Sequence, residues 1–411
     1  MANLTKGLLL GTLLILPLLE ANNNFGYEQI KVLFFILSIT LIGFFWKGKG
    51  FKWTLISKAA GLFILILLIT SLMGIDAKSS LLGGEPYFQG WILYSYLYLF
   101  YLMVKTFKIE LKIYALVLSA SALMVSFLAI KDWILLNLFN QPISTYAGRV
   151  VSTFGQPNFY AGFLLLTLPF SYLLFKSQNK KLSNFGTISG LISSIGILVS
   201  YSRSTILLLF LLIILALVSQ LKIKLKWGIV VLGVVFISIF IALKFSSGIV
   251  GNEISSPIQT NNPDLTRESV EKRIYIWPQV LKIGQQKLLT GYGLENIPKS
   301  FSGYFEKNKH SLFEENLNIN PVLISLKELN IDRTHNYLLD LFLFSGMLGL
   351  IFWLILIILL FKKLTQKTDG SHRSILLVSL VIYLIWVQFQ NQSVVHLVYF
   401  WLLAGLIDRE H

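Results

Sequence analysis

Three side chains carry the most specific chemistry in this sequence: His335, Arg203 and Arg273. His335 stands in Arg333-Thr334-His335-Asn336, where a long polar segment runs into an apolar one. An imidazole of ordinary pKa can take a proton from a hydroxyl at neutral pH. Arg203, in Tyr201-Ser202-Arg203-Ser204, falls where two apolar runs meet almost without a loop. A guanidinium there grips phosphate oxygens with two parallel hydrogen bonds and keeps its charge at any working pH. Arg273, in Glu271-Lys272-Arg273-Ile274-Tyr275, offers the same chemistry from an amphipathic stretch. Each residue also has a plainer reading. An arginine at a membrane surface can simply anchor a helix end or face solvent, and a lone interfacial histidine can be structural. His396, inside the last apolar run, competes with His335, whereas His310, His372 and His411 read as loop or terminal residues.

Asn158 lies in Gly155-Gln156-Pro157-Asn158-Phe159-Tyr160-Ala161-Gly162. Pro157 suits the first turn of a helix, and Ala161 and Gly162 permit close helix packing. A polar Asn158 beside that packing surface can also line a substrate cleft. Absences narrow the chemistry further. The chain has no cysteine, no glycine-rich phosphate loop with lysine, no D-x-D pair and no H-E-x-x-H, so no metal or cofactor is expected.

The elements that must hold these residues are apolar. Hydrophobic residues make up 55% of the 411 and charged residues only 13%, about half the charge of an ordinary soluble domain. The expected fold is an all-α integral membrane protein of about twelve transmembrane helices, with spans near 5–21, 30–46, 53–74, 89–105, 113–131, 157–175, 184–201, 204–221, 227–243, 336–361, 374–390 and 393–408. Lys6 before the first run also resembles a signal peptide, but no small-x-small cleavage site precedes Asn22, so a retained helix is expected. The chain then divides into 1–150 (five spans), 151–243 (four spans), a long segment 244–335, and 336–411 (three spans).

Charge gives the orientation. Alternate loops carry Lys47, Lys49, Lys52 and Lys58, then Lys105, Lys108 and Lys112, then Lys176, Lys180 and Lys181, then Lys222, Lys224 and Lys226, then Lys362, Lys363, Lys367 and Arg373. With Lys6 and Arg409 and the few acids on that side, this face accounts for the entire net charge of +15. By the positive-inside rule it is cytoplasmic, with both termini, and a nucleic-acid partner loses its support. The other face then holds His335, Arg203, Arg273 and the segment 244–335. Within that segment Val270, Ile274, Trp277, Leu281 and Gly284 recur at helical spacing, predicting an amphipathic helix at the membrane surface that Pro278 interrupts or bends.

At this point the sequence resembles the O-antigen ligase and polymerase superfamily. His335-Asn336, nine residues, then Gly346-Met347-Leu348-Gly349 is similar to the ligase signature H-[NSQ]-x9-G-x-x-[GTY]. The run Gly155 to Gly162, Ser202-Arg203, and Arg273 followed by Trp277 and Gly291-Tyr292-Gly293 fit as well. The resemblance implies metal-independent inverting glycosyl transfer at the bacterial cytoplasmic membrane. A polyprenyl-diphosphate-linked glycan is the donor, and a lipid, glycan or protein supplies the acceptor. His335 would be the acceptor base or its positioner, Arg203 and Arg273 would hold the diphosphate, and Asn336, Asn158, Gly346 and Gly349 would contact substrate. Ligation, polymerisation and transfer to protein stay open, and so does a transporter, although Asp340 is the main charge within the spans.

Overall fold

Uncharged runs of Leu, Ile and Phe satisfy their backbone internally as helices, and the computed structural model bears this pattern out over residues 2–21, 25–46, 48, 51–220, 269–307, 331–366 and 371–409, which it describes. The helices are α1 (Ala2–Ile15), α2 (Tyr27–Phe45), α3 (Leu55–Leu72), α4 (Ala77–Leu82), α5 (Trp91–Thr106), α6 (Leu111–Asn137), α7 (Pro157–Phe175), α8 (Lys180–Val199), α9 (Arg203–Gln220), α10 (Ser269–Gln286), α11 (Ile297–Lys307), α12 (Tyr337–Thr365), α13 (Ser371–Trp386) and α14 (Val394–Ile407). A two-residue hairpin, β1 (Thr145–Tyr146) with β2 (Arg149–Val150), joins α6 to α7. Among the described residues six helices, α2, α3, α6, α7, α8 and α12, are long and apolar enough to cross a membrane alone. The chain is thus a multi-pass, all-helical membrane protein. Shorter apolar helices cover the other expected spans, except 227–243, which with most of 244–335 lies outside the described residues.

The bundle has two chemically different ends. At one, Asp408 accepts hydrogen bonds from Thr54 (2.7 Å) and Tyr101 and pairs with Lys105 at 2.8 Å, while Arg409 donates to the carbonyls of Val104 and Ile109. At the other, Lys31 is fully buried and donates to the carbonyls of Leu19 and Thr153, both at 2.6 Å. Its neighbour one turn away, Glu28, accepts the Val394 N–H at 2.8 Å. Spending charged groups on free backbone is how an apolar bundle closes its helix ends, since each unpaired buried group costs several kcal/mol.

Pro278 lies within α10, which runs through it without interruption. The buried stripe of α10 is Ile276, Val280 and Ile283, at 6%, 0% and 0% exposure, whereas Leu281 is 51% exposed. Of the expected face Leu281 is thus turned away, whereas Gly284 is buried as expected: it lies against the Phe342 ring of α12, where a β-carbon would come within 2.1 Å of it.

The longest helix, α12, is broken at Gly346, whose φ of 61° and ψ of −160° are not helical. A break in an apolar layer frees backbone groups that must find partners. The turn stretch 288–293 supplies them: Tyr292 and Gly293 donate to the carbonyls of Leu343 and Phe344 (2.7 and 2.8 Å), and Met347 and Leu348 donate to those of Leu288 and Leu289 (2.8 and 3.3 Å). The two backbones meet at Gly346 and Gly291, both at positive φ. A β-carbon at Gly346 would lie 2.3 Å from the Leu289 carbonyl, and one at Gly291 would lie 2.6 Å from the Gly346 nitrogen.

Candidate active site

His335 occupies the turn that starts α12, half-buried and at φ 58°, in the left-handed region that few non-glycine residues adopt. Bonds on both sides hold it there. Before it, the Thr334 N–H donates to Asp340 Oδ1 (2.8 Å), and the Thr334 carbonyl accepts the indole N–H of Trp277 (3.0 Å). After it, Asn336 caps α12 by accepting the Leu339 N–H (3.1 Å), and its backbone N–H donates to Thr334 Oγ1 (3.2 Å). Asp340, the carboxylate that stood out within the spans, is therefore tied to this turn.

Beneath the turn is a buried polar network. The Arg333 guanidinium lies 2.7 Å from Glu295, both side chains under 5% exposed, and stacks over Tyr87 and Phe344 at 4.3 and 5.0 Å. Burial disfavours the Arg333 charge, but Glu295, then Asp340 and Tyr87, outweigh it and hold the group above its ordinary pKa. The Tyr87 hydroxyl donates to Asp332 (3.1 Å) and accepts from Asn391 (2.8 Å). Burial first, then Asp332, keeps that hydroxyl protonated well above the usual phenol range. Glu295 also accepts the Gln89 N–H (3.0 Å), so segments around residues 87, 295, 333 and 391 are fastened together.

Arg203 begins α9 and is exposed, following Tyr201 at φ 52°. Its first turn is tied to the α13–α14 connection: Gln390 donates to Ser204 Oγ (2.7 Å), and Trp386 Nε1 donates to Thr205 Oγ1 (3.2 Å). The same connection holds the His335 side, since Asn336 Nδ2 donates to the Gln388 carbonyl (3.4 Å) and the Tyr337 N–H to the Val387 carbonyl (3.0 Å). Four residues of the stretch 386–390 thus brace the segments that carry Arg203 and His335 at one end of the bundle. Arg149 shares that end; burial lowers its proton affinity and the nearby Arg203 charge acts in the same direction.

The backbone of Arg273 lies in α10, one turn before Trp277, but its side chain is outside the described set. Asn158 sits half-buried in the first turn of α7, behind Pro157 at its start. Gly346 and Gly349 stand three turns along α12 from His335, roughly 16 Å away or more at 1.5 Å per residue. Gly346 makes the helix break, and Gly349 leaves space for the Ser345 side chain, which a β-carbon would meet at 1.9 Å. His396 is fully buried, stacked 4.4 Å from Trp386, with Nδ1 accepting the Ser393 N–H and Nε2 at 3.0 Å from the Phe159 carbonyl. Both its nitrogens are used in helix packing.

Residues 188–354 match the model of the O-antigen ligase family. This match supports the O-antigen ligase superfamily. The matched segment runs from within α8 to within α12, and so takes in Arg203, Arg273, His335, Gly346 and Gly349, while Asn158 precedes it. It implies a membrane glycosyltransferase of the ligase or polymerase type, acting on lipid-linked glycans. No curated protein matches the chain. Sequence reasoning passed over Arg149, Arg333, Glu295 and Tyr87. It also missed the Gln388-Phe389-Gln390-Asn391-Gln392 connection, whose run of amides between two apolar helices was a readable signal.

Proposed function

We propose that this protein transfers a glycan from a polyprenyl-diphosphate carrier to an acceptor hydroxyl, without a metal ion, at the extracytoplasmic face of the bacterial cytoplasmic membrane. The observation that carries the proposal is the bracing, by the one stretch 386–390, of the segments that carry Arg203 and His335, two residues that both fall within the matched segment 188–354. In the reaction the acceptor oxygen attacks the anomeric carbon. The bond from that carbon to the diphosphate oxygen breaks, and the configuration inverts. His335 takes the acceptor proton, and the departing diphosphate keeps the bonding electrons. Arg203 and Arg273 offset the charge that develops on it, the kind of interaction that lowers a barrier because it strengthens in the transition state. Asn158 and Asn336 contribute polar contacts to the sugars, and Gly346 and Gly349 shape the helix wall. The lysine-bearing end, where Lys105 and Arg409 are anchored, is assigned to the cytoplasm.

The test uses purified protein, undecaprenyl-diphosphate-linked glycan and native envelope glycolipid extract, in the presence of a chelator. Release of undecaprenyl diphosphate coupled to glycan transfer is expected from the wild type and not from His335→Ala. Undiminished turnover in a His335→Ala protein of normal abundance would remove the base.

A further inference from the structure

Trp277 is the single described residue of α10 that hydrogen-bonds the His335 turn. Its indole N–H donates to the Thr334 carbonyl at 3.0 Å, and Thr334 itself is fully buried and fixed on Asp340 and Asn336. The apolar stripe Ile276, Val280 and Ile283 seats α10 on its neighbours, and its C-terminal end is fastened by Gly284 against Phe342, by the Tyr292 hydroxyl on the Ile283 carbonyl and by the bonds of 288–293 to α12; toward the N-terminal end apolar contact is non-directional and does not by itself fix position or rotation. A hydrogen bond is directional and weakens steeply off-axis. One turn of helix separates Arg273 from Trp277, and positions four apart lie above one another on a helix.

We propose that Trp277 is a positioning residue, whose indole bond holds the Arg273-bearing end of α10 against the His335 turn. The inference rests on the glycosyl-transfer reading for its consequence in turnover, but not for its consequence in geometry. The indole is long enough to reach the turn and has one donor in a fixed direction, so it acts as a strut. With the strut present, α10 meets the His335 turn in one arrangement. Without it, α10 stays fastened at its C-terminal end while the end that carries Arg273 shifts. A displacement near 1 Å of a group that acts in the transition state costs as much as about 100-fold in rate, whereas ground-state donor binding, shared with Arg203, changes little.

The experiment uses the full chain in lipid nanodiscs. Because the protein has no cysteine, spin labels can be placed at Ser269→Cys, at the start of α10, and at Ile358→Cys, which is 61% exposed, and the distance between them measured in the Trp277 and Trp277→Phe backgrounds. Trp277→Phe keeps an aromatic ring and deletes the donor. It should broaden or shift the distance distribution, lower kcat about 10- to 100-fold and leave the donor KM within about twofold. Val280→Ala, which loosens the seat but keeps the indole bond, should lower the melting temperature and leave kcat and the distance distribution near wild type. Wild-type kcat in Trp277→Phe, or lost kcat with an unchanged distribution, would overturn the proposal. A changed distribution in a protein whose wild type transfers no glycan from native extract would uphold the strut and remove the glycosyl-transfer reading instead.

Discussion

The Glu295 carboxylate and the Arg333 guanidinium meet at 2.7 Å with 3% and 4% of their side chains exposed, two residues before His335 and across 38 positions of sequence. Two opposite charges this deeply buried are held by each other and by their hydrogen bonds, and removal of one strands the other. Glu295→Gln or Arg333→Met should therefore destabilise the fold by about 3–5 kcal/mol. The double replacement Glu295→Gln with Arg333→Met should lose less than the sum. Thermal unfolding of the detergent-solubilised single and double variants measures this, and additive losses would show that the pair is not coupled.

Gly349 leaves space for one side chain of its own helix. A methyl group there would come within 1.9 Å of Ser345 Oγ, whose hydroxyl donates to the Leu341 carbonyl at 2.9 Å. Gly349→Ala should cost about 1–3 kcal/mol through overpacking, and Ser345→Gly in the same chain, which removes both the hydroxyl and the β-carbon 2.4 Å away, should recover part of it. Gly346→Ala has no such rescue, because the atoms it would strike are the backbone of Leu289 and Thr290. Folded yield by size-exclusion chromatography should separate the two glycines, and equal recovery would contradict the packing account.

The two arginines in the ligase segment should fail differently. Arg203 starts a helix that is bonded to the α13–α14 connection, whereas Arg273 rides on α10. Arg203→Lys should weaken donor binding about tenfold, since lysine keeps the charge but loses the two-pronged geometry. Arg273→Lys should spare binding and lower kcat, as expected for a group that engages when charge develops on the leaving diphosphate. Donor titrations paired with turnover on each variant decide the matter; equal losses of affinity with unchanged turnover would end the distinction.

Asp76 supplies a pH-dependent contact between the α3–α4 connection and α11. Its carboxylate pairs with Lys299 and accepts from the Ser79 N–H (3.0 Å) and hydroxyl (2.7 Å). Lys299 first, then Ser79, hold its pKa well below the usual carboxylate range. A group whose folded pKa is depressed adds stability that is complete above its unfolded value, near 3.9, and is lost as pH falls below it toward the folded value. The difference in melting temperature between wild type and Asp76→Asn should thus be constant from pH 7 to about 4.5 and shrink below that. It should be small throughout, because the pair is solvated. A difference that grows on acidification would reverse the sign of this assignment.

The sequence by itself settled what local patterning controls. Apolar runs long enough to span a bilayer gave helices near the expected positions, Pro157 did start α7, and the lysine-rich loops that are described lie together at the end opposite His335. Length and hydrophobicity are properties of consecutive residues, so they can be read in one dimension. The ligase signature placed His335 and Gly346 in one motif, but only the tertiary structure separated their parts, one in a strained turn and the other in a helix break closed by residues 288–293. Leu281 was placed on the buried face of α10 although Ile276, Val280 and Ile283 are the side chains covered, because two stripes share helical spacing and contacts with distant segments decide which is buried. The Glu295–Arg333 pair was invisible for the same reason. A charge or an amide looks solvent-facing in sequence until a partner from a distant segment makes its burial affordable, and that pairing exists only in three dimensions.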